Sequence, residues 1–175
     1  MVREKENGSI YNIYSSTATR GEFLLGKLAP YLAISMVNAL ILWLLATQLF
    51  GAPFKGDPLF FLLATMVFVI CTTGIGLLVS LIVRTQVAAM LLTVVVTVIP
   101  SVLYSGLLVP VASMDPVGQL KAHLFPAVYF TDIVLGSFLK GIGIGDLWGR
   151  LLALLVYSAL LWTASLLIFH KRPKT

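Results

Sequence analysis

Chemistry in this 175-residue chain has to come from few side chains: Asp and Glu together number 7, His 2 and Cys 1, against 12 Lys and Arg. No G-x-x-x-x-G-K-[ST] run is present to cradle a nucleotide phosphate. Gly141-Ile142-Gly143-Ile144-Gly145 imitates a glycine-rich fingerprint, but it follows no strand and has no acidic residue about 20 positions on, so it reads as a flexible loop. H-E-x-x-H and paired aspartates are missing. His123 and His170 are poorly placed to activate a serine. Cys71 stands alone in an apolar run, where it makes no disulfide or metal cluster and reads as a small core residue. Pumps and proton-driven carriers bury Asp, Glu or His in the membrane, yet the apolar stretches here hold no such group centrally. The sequence therefore predicts no enzyme, no catalytic residue, no metal site and no cofactor in this chain.

The elements that carry these residues are set by hydropathy. Apolar residues make up 59% and charged ones 11%, against roughly 45–50% and about 25% in a soluble domain. Mean hydropathy is +1.00. Stretches 28–50, 59–83, 87–109 and 147–169 each exceed the roughly 20 apolar residues needed to cross a bilayer. Each must be helical, because lipid offers backbone polar groups no partner. The predicted fold is all-α: a polytopic membrane bundle of about four transmembrane helices. Its domains are a cytoplasmic segment, 1–27, and a transmembrane part, 28–175. Residues 110–146 form an external segment whose apolar pieces, broken by Pro110, Pro116 and Pro126, are too short to span and read as re-entrant or interfacial helices.

Basic residues set the orientation. With the N-terminus in the cytoplasm, Arg3, Lys5, Arg20, Lys27, Arg84, Lys171, Arg172 and Lys174 lie inside; Lys55, Lys121, Lys140 and Arg150 lie outside. The expected location is the cytoplasmic membrane of a bacterium, with both termini cytoplasmic. The net charge of +5 thus belongs to topology, and nucleic acid is not an expected partner. The N-terminus lacks the apolar core of a signal peptide.

Mild polarity inside the spans has two readings. Thr72, Gly76 and Ser80 follow small-xxx-small spacing and suit close helix packing. Asn38 is the least comfortable residue in lipid and should face a helix or a cavity. Thr97, Ser101, Tyr104 and Ser105 gather near Pro100, and with Asn38 they form the candidate substrate path. Upstream, Ile10, Ile13 and Tyr14 share one helical face behind a plausible Ser9 cap. Such an amphipathic helix can lie on lipid or dock in a partner's groove.

Four segments in order resemble the type-2 permease subunits of ABC exporters. They are Arg3-Glu4-Lys5-Glu6-Asn7-Gly8-Ser9-Ile10 with Gly26-Lys27-Leu28; Ser80-Leu81-Ile82-Val83-Arg84-Thr85-Gln86; Pro100-Ser101-Val102-Leu103-Tyr104-Ser105-Gly106; and Leu124-Phe125-Pro126-Ala127-Val128-Tyr129-Phe130. The resemblance implies an exporter permease driven by ATP and Mg bound on a separate ATP-binding cassette subunit. It implies a second permease subunit, as homo- or heterodimer. It also implies that Glu4, Glu6 and Gly8 meet the ATPase, and that Ile10, Tyr11, Ile13 and Tyr14 form the coupling helix. The family pattern has six spans; this chain is expected to correspond to the last four. The alternatives are a non-transporting structural or assembly protein, or a truncated, inactive permease. The transported substrate cannot be read from these residues.

Overall fold

The computed structural model describes Val2, Glu6, residues 20–142 and residues 144–168. Among them every regular element is helical. The expected amphipathic helix around Ile10–Tyr14 lies outside the described residues, and so do Glu4 and Gly8.

Helix α1, Arg20–Leu44, runs on through a wide turn, Leu45–Leu49. Gly51, at φ +61°, then reverses the chain, a backbone region open mainly to glycine. Asp57 starts α2, Pro58–Ile82: its carboxylate accepts from the Leu59 N–H at 2.8 Å and the Phe60 N–H at 3.4 Å, and Pro58 occupies a first-turn position that needs no donor. Thr85 caps α3, Gln86–Thr93, by accepting from the Ala88 N–H at 3.3 Å. A wide turn, Val94–Val98, separates α3 from α4, Ile99–Tyr104. Pro100 explains it, since proline lacks an N–H and crowds the carbonyl four residues back, and a widened turn relieves both. The helical run ends at Tyr104, five residues before the expected Val109, because Gly106 turns the chain at φ +83°.

A short 3-10 turn, Val111–Ser113, precedes α5, Pro116–His123, and α6, Pro126–Leu135, which extends through a wide turn at Gly136–Lys140. The α5 and α6 arms meet at 89°, the shape of a broken span or of a re-entrant loop. Helix α7, Ile144–Ile168, closes the order. Ile144 and Gly145, expected in a loop, already belong to it, while Gly141 makes the turn at φ +60°. The runs Gly21–Leu49, Pro58–Ile82, Gln86–Tyr104 and Ile144–Ile168 are long and apolar enough to cross a membrane. This is a multi-pass all-α membrane protein.

Helix α2 is the hub, packing on α1 and α7 and on the re-entrant arm α6. Phe60 and Ala64 meet Ile133, Leu147, Leu151 and Leu154 in one core, and Leu24 and Leu28 meet Leu77 in another. Gly74 admits α7: a Cβ there would lie 3.4 Å from the Leu161 Cβ. Aromatic rings tie the Gly51–Asp57 loop to this frame. Phe54 stands edge-on to Trp43, Phe61 and Phe138, and Phe68 stacks on Phe130 at 4.1 Å. The loop also makes a backbone clip: Lys55 and Gly56 N–H groups both donate to the Ser137 carbonyl, at 3.0 and 2.8 Å.

The re-entrant corner exposes the C-terminal carbonyls of α5, and each of four acquires a donor. Lys121 O accepts from Leu124 N–H and Ala122 O from Phe125 N–H. The Tyr129 hydroxyl donates to His123 O at 2.9 Å, and the Tyr157 hydroxyl donates to Leu124 O. Tyr157 thereby anchors the corner to α7.

Two stability changes follow. A Cβ at Gly56 would lie 2.8 Å from the Ser137 Cβ, so Gly56→Ala is expected to cost about 1–3 kcal/mol, as overpacking does. Gly149→Ala, with nothing within 4 Å, is the tolerated control; thermal unfolding in detergent compares them. Replacing Tyr129 and Tyr157 together by Phe removes the hydroxyl donors to the His123 and Leu124 carbonyls and is expected to lower the same midpoint, at about 0.5–1.5 kcal/mol for each hydrogen bond lost.

Candidate functional site

Among the described residues no group of His, Cys, Asp and Glu could hold a metal ion, and the candidate site is a contact: the place where the N-terminal segment touches the spans. Glu6 provides that contact. Its carboxylate accepts from the Gln86 backbone N–H at 2.8 Å and also from the Gln86 side-chain amide. Gln86 is the first residue of α3, so the anion sits at a helix N-terminus, where unpaired N–H groups and the helix dipole favour negative charge. The two Gln86 hydrogen bonds, side chain first and backbone second, hold the Glu6 carboxyl below its ordinary pKa, with burial opposing weakly. No short-range pattern reveals this pair, which is separated by 80 positions.

From Gln86 the third span leads to the hydroxyl-bearing face. Thr97 is half-buried, and its hydroxyl donates to Thr93 O at 2.6 Å, inside the widened turn. Ser101 and Tyr104 are half-buried, and the Tyr104 ring stacks on Phe125 beside the re-entrant corner. Ser105 is buried, and its hydroxyl accepts from the Leu107 N–H at 3.4 Å. These four residues lie together on the third span and its exit. Asn38 is apart from them, exposed on α1, which packs on α2. The central window of the third span has none of its residues buried, against 39% in α2, so its flanks are open to lipid or to other protein.

The small residues of α2 divide by face. Thr72 spends its hydroxyl on Phe68 O and Val69 O, both at 3.1 Å, and Ser80 donates to Leu77 O at 2.7 Å. A Cβ at Gly76 would meet nothing within 4 Å, whereas one at Gly74 would touch α7. Within this chain the close helix approach is therefore at Gly74, a residue the small-xxx-small spacing did not single out. Gly76 and Ser80 instead line an open groove of about 350 Å³ between α1 and α2, shared with Lys27, Tyr31, Ser35 and Thr73. Asp132 and Arg150, both placed in the external region by the charge pattern, pair at 2.9 Å and join α6 to α7.

A profile described as ABC-2 type transporter matches residues 1–139. The chain is 33% identical over 141 residues to the probable multidrug ABC transporter permease YbhS of Escherichia coli (strain K12), covering 81% of this chain and 37% of that protein. It is 28% identical over 172 residues to the probable multidrug ABC transporter permease YbhR of the same organism, covering 98% of this chain and 46% of that protein. With the inner membrane transport permease YhhJ, also of that organism, identity is 26% over 172 residues, covering 98% of this chain and 46% of that protein. The chain thus spans less than half the length of these relatives. No solved structure matches it.

The Glu6 link has a defined pH dependence. Its folded pKa is depressed, so the contact's contribution is present above the ordinary carboxyl range and is lost as pH falls through the lowered value. Hydrogen exchange should show the Gln86 amide protected in the native chain at neutral pH and unprotected in Glu6→Ala. The difference between the two chains should vanish in acid.

Proposed function

The chain belongs to the ABC-2 type transporter family, and from that premise we propose that it is the permease portion of an exporter powered by a separate ATP-binding cassette subunit. The observation that carries the coupling mechanism is the Glu6–Gln86 link. In this reading the segment 1–27 faces the ATPase, with Glu4, Glu6 and Gly8 at the contact and Ile10, Tyr11, Ile13 and Tyr14 filling a groove of that partner. Nucleotide-driven closure of the ATPase displaces the segment. Glu6 then pulls on Gln86, and α3 moves as a rigid rod because its backbone hydrogen bonds are internal. The widened turn before Pro100 is where such a rod can bend. Bending there changes what Thr97, Ser101, Tyr104 and Ser105 present.

The substrate class supported is an amphipathic molecule, able to meet hydroxyls and aliphatic side chains in turn. Multidrug permeases are what two of the E. coli relatives are named, and a drug-like amphiphile fits that path. A second permease subunit would cover the open flanks of the third span. The location proposed is the inner membrane, with both termini cytoplasmic, because more basic residues then lie inside than outside.

Two sets of variants test this. Tyr11→Ala with Tyr14→Ala should abolish capture of the ATPase. Gln86→Ala should leave capture intact, and Glu6→Ala and Gln86→Ala should each reduce transport in membrane vesicles on the order of tenfold, the size of a typical coupling energy between sites. Undiminished capture by the double tyrosine variant would remove the proposed contact. Full transport by both Glu6→Ala and Gln86→Ala would remove the proposed lever.

A further inference from the structure

We draw no further inference here: the strongest candidate, the aromatic-walled cavity of about 290 Å³ that Trp43 of α1, Phe61 of α2 and Phe130 of α6 line together with Phe138, is an apolar recess, and nothing in the structure shows what fills it.

Discussion

A backbone in hydrocarbon must satisfy its own polar groups, and nearly every feature of this chain follows from that constraint. Four long helices meet it over most of their length. The difficulty concentrates where helices begin, end or bend, and there the side chains with hydroxyls and carboxylates are found. Asp57 and Thr85 serve the starts of α2 and α3. Tyr129 and Tyr157 serve the carbonyls of the re-entrant corner. Thr65, Thr72, Thr73, Thr97 and Ser165 return their hydroxyls to carbonyls one turn back, which is how such residues are tolerated inside apolar helices. Glu6 belongs to the same series, since it occupies the N-terminus of α3 from outside. The contact proposed to transmit motion is thus also a helix cap.

The packing follows from the absence of a hydrophobic drive between helices in lipid. Helix α2 gains its neighbours through shape: Gly74 lets α7 approach, and Gly56 lets the loop close on Ser137. Aromatic edges from Trp43 to Phe138 fill what remains. The third span, by contrast, has no fully buried residue in its apolar window, and it is the span that Glu6 touches. A helix tied at one end by Glu6, widened in the turn before Pro100 and without a fully buried residue along its apolar window is packed less tightly than α2.

Legibility in the sequence divides along the same physical line. The spans were readable because apolar length is a property of composition, although α1 begins at Arg20, eight residues before the first apolar stretch was expected to start. The third span ended early because its apolar run continues through Leu107–Val109 while Gly106 has already turned the backbone. The helix starts at Pro116 and Pro126 were readable, but the 89° corner between α5 and α6 was not, since the tyrosine that anchors it comes from α7, 33 positions away. The Glu6–Gln86 contact and the α1–α2 groove are pairings between distant segments, and no periodicity encodes them. The small-residue spacing did mark α2 as a close-packing helix, but side-chain direction decided that Gly74 faces α7 and Gly76 faces the groove.

The central claim is that this chain supplies the path and another polypeptide supplies the energy. The most direct measurement is affinity capture of the protein from its native membranes in mild detergent, with intact masses of everything recovered. Recovery of an ATP-binding cassette subunit in stoichiometric complex with the chain is the predicted result. Recovery of the chain at its own 19.0 kDa with no ATPase, from membranes in which that subunit is present, would contradict it.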